Sequence, residues 1–201
     1  MSNLPTREQA VAEWLAEAAD VVRSVEVAAM TRAVGALSKV RARGGVIFTA
    51  GNGGSAATAS HLALDLQKAA RSPGGSGTRA VSLCDSVGLI TAWANDTAFD
   101  RVFAEQLAVL AKPGDGLVVI SVSGSSPNLI ALLEVAREKE QVSVGLLGGD
   151  GGRARELVQV PVIVPSNDYG WVEAAHAVLA HVLTYGLRDA RLASLPAGTA
   201  A

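Results

Sequence analysis

The sequence predicts an α/β protein: a three-layer αβα sandwich on a five-stranded parallel sheet, preceded by an N-terminal helical extension. Three observations carry this. Five short runs, at 46–50, 79–84, 117–122, 143–147 and 160–164, are apolar on both faces, as strands buried between two helical layers must be. Segments with helix-forming sequence separate them. The first and third runs lead into Gly/Ser-rich loops, each of which opens a further helical segment.

Thr6-Arg7-Glu8-Gln9 has the pattern of a capping box and starts the first helix, along which Val11, Leu15, Ala18, Ala19 and Val22 recur at helical spacing. A second helix is expected over about 25–42 and stops at Gly44-Gly45. This amphipathic pair has to cover something, either its own sheet or a neighbouring subunit. Residues 1–44 therefore read as a helical segment for oligomerisation, 45–192 as the α/β domain, and 193–201 as a disordered tail. Within the domain, helices are expected at 55–70, 86–94, 98–111, 126–138, 153–157 and 170–191. Arg71 to Gly77 reads as a mobile loop, and Pro113-Gly114-Asp115 as a turn into the third strand. Pro161 places the last strand at an edge of the sheet.

Composition narrows the function. The chain has 201 residues, 49% hydrophobic and 18% charged, which fits one folded domain. A formal charge of −2 without a Lys/Arg run argues against a nucleic-acid partner, and 4% aromatic residues argue against a stacking platform for single strands. The lone cysteine, Cys84, reads as a small buried residue in a reducing compartment. No run approaches the roughly 18 apolar residues of a membrane span, and the first residues lack the apolar core of a signal peptide. A cytoplasmic protein with no membrane partner is the expectation.

The loops Gly51-Asn52-Gly53-Gly54-Ser55 and Ser121-Val122-Ser123-Gly124-Ser125-Ser126 each present unsatisfied amides and hydroxyls at a helix N-terminus, an arrangement that binds anions. Two such loops at the carboxyl edge of one sheet point to a phosphorylated ligand, a sugar phosphate first of all. A dinucleotide fold is the rival, since Gly51 to Ala56 fits the loose pattern G-x-G-x-x-A and Asp85 ends the next strand. The pattern is weakly specific, however. Asp85 also lies about 30 residues past the loop, not roughly 20. Finally, a dinucleotide has no use for the serines of the second loop.

With these residues in view, the chain resembles the sugar isomerase (SIS) domain family, and within it the phosphoheptose isomerases. The likeness rests on Gly51 to Ala57, His61 with an acid at 65, Ala94-Asn95-Asp96, Ser121 to Asn128, Gly149-Asp150-Gly151-Gly152, and the stretch from Val164-Pro165-Ser166 through Glu173, His176 and His181. It covers about 6–190. The resemblance implies a flavodoxin-like SIS fold, a homotetramer with active sites between subunits, and a zinc ion. It implies isomerisation of sedoheptulose 7-phosphate to the heptose aldose 7-phosphate. By the same resemblance, Asn52, Gly53, Gly54, Ser55, Ser121, Val122, Ser123 and Ser126 hold the substrate and its phosphate. Asn95 and Asp96 contact the sugar. His61, Asp65, Glu173 and His181 form the metal and proton-transfer cluster, Glu173 also facing the substrate. Some relatives instead bind a replication initiator and act without catalysis; those typically lose the final histidine, which is present here as His181.

Moving a proton between adjacent carbons through an enediolate requires one group to take it and another to protonate or polarise the oxygen, roles that suit Asp65 and His181. His61 and Asp65, four residues apart, lie about 40° apart on one helix face. Glu173 and His181 are about 80° apart around the last helix, so both can face one pocket, whereas His176 and His181 differ by about 140°. His176 is therefore assigned to packing or an interface. Trp14, Trp93 and Trp171 read as packing residues, with Trp171 and Tyr169 also placed to shape substrate access. The chain departs from the family in having Asp65 for glutamate and Glu173 for glutamine. The missing methylene retracts the carboxylate at 65 by about 1.5 Å.

Overall fold

A computed structural model describes residues 6–71 and 77–189. The proposed tail, and all of the proposed mobile loop but its two end residues, lie outside the described residues. In chain order the elements are α1 (Arg7–Arg23), α2 (Val27–Ala42), β1 (Ile47–Gly51), α3 (Gly54–Lys68), β2 (Ala80–Ser82), α4 (Val87–Asp96), α5 (Ala104–Leu110), β3 (Gly116–Ser121), α6 (Pro127–Glu138), β4 (Val142–Gly148), α7 (Ala154–Leu157), β5 (Val160–Val164) and α8 (Tyr169–Arg188).

The five strands form one parallel sheet in the order β2-β1-β3-β4-β5. This is the flavodoxin-like order, whose direction reverses between β1 and β3. The two loops singled out in the sequence follow those two strands, so they flank the crevice where such sheets bind ligands. Pro161 is indeed on an edge strand, paired on one side only.

Every residue of β1 and β3 is buried, and neighbours along each strand face opposite layers. Ile47, Val118, Ile120, Val144, Leu146 and Val162 pack with α2, α3 and α8. Phe48, Ala50, Leu117, Val119 and Leu147 pack with α5, α6 and α7. That two-sided burial explains the unbroken apolar runs.

The expected helix at 98–111 is broken. Phe99–Arg101 forms a 3₁₀ turn before α5 begins at Ala104. Val102, Phe103 and Ala104, which follow the turn, are all buried and carry the chain into the second core as α5 begins.

The capping box at Thr6 and Gln9 forms as read. Yet α1 buries none of its residues in the protomer, leaving Val11, Trp14 and Leu15 exposed at 49%, 57% and 68%. Trp14 is therefore largely exposed on the protomer, whereas Trp93 packs against the second core.

Candidate functional site

The serine loop is shaped by its own atoms. Ser121 Oγ accepts from the Gly124 amide at 3.0 Å, and Ser123 Oγ accepts from the Ser125 amide at 3.3 Å. Ser126 caps α6 through its backbone carbonyl while its hydroxyl makes no cap bond, and Pro127 opens the helix. That leaves hydroxyl and amide donors free at a helix N-terminus. Gly124 turns with φ +59°, and a β-carbon there would stand 2.0 Å from the Gly151 carbonyl oxygen. The Gly149 to Gly152 segment after β4 thus buttresses the serine loop, and Ala154 donates to the Gly124 carbonyl.

The two loops are joined by a pair the sequence reading did not single out. Asn52 and Asn128 exchange side-chain amide hydrogen bonds, each 2.9 Å, and Asn128 is buried. Asn128 entered the sequence analysis only as the last residue of the Ser121 to Asn128 segment.

A cavity of about 110 Å³ lies between the loops, lined by Asn52, Ser55, Ile120, Ser121, Val122, Ser123, Ser126, Tyr169 and Glu173. Among the described residues no lysine or arginine lines it. An anion there would be held by hydroxyls, amides and the α6 dipole. Tyr169 stands at its mouth, 63% exposed. Gly53 takes φ +54° as the cap of α3.

Glu173 is placed on this side of the site. Its carboxylate lies over Gly54, where a β-carbon would sit 2.5 Å from Oε1. Asn95 and Asp96 do not line the cavity; they are exposed at the end of α4, with Asn95 donating to Asp96 at 2.9 Å.

Farther along the parallel pair α3 and α8, His61, Asp65 and His181 converge. One ligand atom from each lies within 4.8 Å of the others. Asp65 Oδ2 is 3.1 Å from His181 Nδ1 and 3.6 Å from His61 Nε2. Two imidazoles and a carboxylate with solvent access match the donor set of a catalytic zinc site, three protein ligands and an open position. Glu173 is outside this group. The angular estimate that put it with His181 omitted the axial rise, about 12 Å over eight residues.

His176 is fully buried, and neither ring nitrogen reaches good hydrogen-bond geometry, although the Leu147 backbone lies close enough to act on the ring. It belongs to the packing beneath α8. Burial pushes its pKa down to about 4, the Leu147 backbone opposing the shift only in part. Cys84 is half-buried and donates to the Gly51 carbonyl at 3.4 Å; burial raises its pKa, so it stays a neutral thiol.

The SIS domain family matches residues 13–148 of this chain. The chain is 43% identical over 133 residues to the phosphoheptose isomerase of Trichlorobacter lovleyi, an alignment covering 66% of this chain and 67% of that protein. Its fold is similar to the phosphoheptose isomerase of Neisseria gonorrhoeae, with a TM-score of 0.83 and 30% identity over 90% of this chain and 98% of that one. The corresponding enzyme of Francisella tularensis gives 0.82 and 26% over 91% and 98%.

Proposed function

From the premise that this chain belongs to the SIS domain family, we propose that it is a phosphoheptose isomerase, interconverting sedoheptulose 7-phosphate and D-glycero-D-manno-heptose 7-phosphate. The observation that carries the reading is the convergence of His61, Asp65 and His181 beyond an anion cavity built by the two loops. Isomerase relatives at this identity leave the initiator-binding alternative unfavoured.

The residues take these roles. Ser121, Ser123 and Ser126, with Ser55, Asn52, Gly53, Gly54 and the Val122 backbone, hold the phosphate end, and Glu173 faces the sugar. Asp65 and His181 divide the proton transfers, one moving the proton between the two carbons and the other giving a proton to the C2 oxygen and taking one from O1. Loss of a proton from C1 leaves its electron pair in a C1–C2 double bond while the C2 oxygen gains a proton. Return of a proton to C2, with loss of the O1 proton, produces the aldehyde. His61, Asp65 and His181 would hold a divalent ion, zinc by donor chemistry. Such an ion stabilises negative charge on the substrate oxygen.

Exposed apolar surface supports reading the protein as an assembly. Val11, Trp14 and Leu15 of α1, Leu64 of α3, and Val178 and Val182 of α8 are all exposed. A homotetramer would cover them, and would bring Asn95 and Asp96 of one protomer to the sugar in another. Among the described residues no helix is long and apolar enough to cross a membrane, and we place the protein in the cytoplasm.

Purified protein in deuterium oxide is expected to exchange solvent deuterium into sedoheptulose 7-phosphate and form the aldose, read by mass spectrometry and NMR. Chelator treatment should suppress the rate and zinc should restore it. Absence of exchange with any C5–C7 ketose phosphate, zinc present, would refute the assignment. Light scattering should give a tetramer. Gly124→Ala should raise KM for the sugar phosphate about tenfold or more by steady-state kinetics, since its β-carbon meets Gly151 in a left-handed conformation and shifts the serine loop. An unchanged KM would remove that loop from phosphate binding.

A further inference from the structure

His181, Tyr185 and Arg188 occupy one stripe of α8, at i, i+4 and i+7. The Tyr185 ring stands nearly parallel to the His181 ring, 24° between planes and 6.3 Å between centroids. On the other flank the His61 ring meets His181 edge-on at 5.1 Å, and Asp65 lies 3.1 Å from Nδ1. The Arg188 guanidinium carbon sits 4.9 Å from the centre of the Tyr185 ring, a cation–π distance. The turn carrying Arg188 is itself tied down, because Arg41 of α2 donates to the Leu187 carbonyl.

A ring 53% exposed, as Tyr185 is, would ordinarily sample several rotamers. The guanidinium contact favours one. Histidine ligands and bases depend on such outer neighbours, because imidazole position sets both affinity and proton-transfer geometry. Tyr185 supplies a face where Asp65 and His61 supply an atom and an edge.

We propose that Tyr185, held by Arg188, is a positioning residue that fixes the His181 ring for metal binding and proton transfer. The inference rests on the assignment of His181 above, so the test separates the two. Full-length protein carrying ¹⁵N-histidine is prepared as wild type, Tyr185→Ala, Tyr185→Phe and Arg188→Gln. With only three histidines, the ring signals are readily assigned.

In chelator-treated wild type and Tyr185→Phe, His181 should give one sharp, distinct set of ring signals. In Tyr185→Ala these should broaden and move toward the values of a solvent-exposed histidine. Cobalt(II), used as the probe ion, should bind Tyr185→Ala about tenfold more weakly and with an altered visible spectrum. Phenylalanine should restore both, and Arg188→Gln should fall between. Thermal melts of the four proteins check that the comparison is made between folded chains, and the Phe and Gln variants decide the matter if the Ala variant unfolds. Identical ring signals and cobalt affinity in wild type and Tyr185→Ala, or failure of phenylalanine to restore them, would overturn the proposal. If wild type binds no cobalt, the metal assignment falls, while the ring signals still decide whether Tyr185 holds His181.

Discussion

His181→Ala is expected to reduce kcat/KM for sedoheptulose 7-phosphate by at least about 10³-fold, because it removes a proton-transfer group and a metal donor together. The fall should appear in kcat, since His181 lies beyond the serine loop that holds the phosphate, and KM should change by much less. Asp65→Asn should be almost as damaging. Asp65 Oδ2 faces both imidazoles, at 3.1 and 3.6 Å, and an amide of the same size cannot supply the negative charge that sits between them. The double variant should then be little worse than either single one, as happens when residues act as a unit. Additive losses would mean that the two residues serve separate steps. Retention of more than about a tenth of wild-type kcat by His181→Ala would exclude the cluster as the catalytic centre. Solvent-exchange kinetics distinguish these outcomes, because washout of the substrate proton reports enediolate formation even where net turnover is slow.

Legibility of the fold in the sequence followed burial. Runs such as Val46 to Ala50 and Leu117 to Ile120 can be read as parallel strands because both of their faces are covered, which leaves no polar alternation. The tight turn at Phe99–Arg101 was not legible, because three residues that stay largely on the surface carry no apolar period to separate a 3₁₀ turn from the start of an α-helix. The site divides in the same way. His61 and Asp65 meet because four residues of one helix suffice, and Ser121 to Ser126 forms its loop from local hydrogen bonds. Glu173 shows the limit of angular reasoning, since an eight-residue separation also carries an axial rise that places its carboxylate on Gly54. The Asn52–Asn128 pair spans 76 residues, and no local pattern could announce it. Trp14 read as a packing residue because large apolar residues usually are, yet it is 57% exposed, and α1 meets the protomer core only through the partly buried Val21 and Val22.

Acid should unfold this protein through His176. In the folded state its pKa lies at about 4, against an ordinary value of 6.5, because burial disfavours the charged ring and the Leu147 backbone offsets this only in part. The unfolded chain therefore binds a proton that the folded chain refuses between those two values. Stability is unaffected by this group above pH 6.5, falls as pH drops below it, and stops falling below about 4. The loss attributable to His176 should be about 2 kcal/mol at pH 5 and about 3 kcal/mol at full development. His176→Leu, close in volume and without a polar atom, should remove that part of the slope. It should also stabilise the protein at pH 7 by about 1 kcal/mol, since a buried polar group without good hydrogen-bond geometry disappears. Urea unfolding of both proteins at pH 7 and pH 5 measures the two effects, and equal pH slopes would show that another group governs acid sensitivity. The consequence reaches the site, because α8 carries His176, Glu173 and His181 on one helix. Charging the buried ring loosens the element that holds the final histidine against Asp65. Loss of activity in acid should accordingly track loss of structure in wild type, and His176→Leu should shift both midpoints to lower pH together.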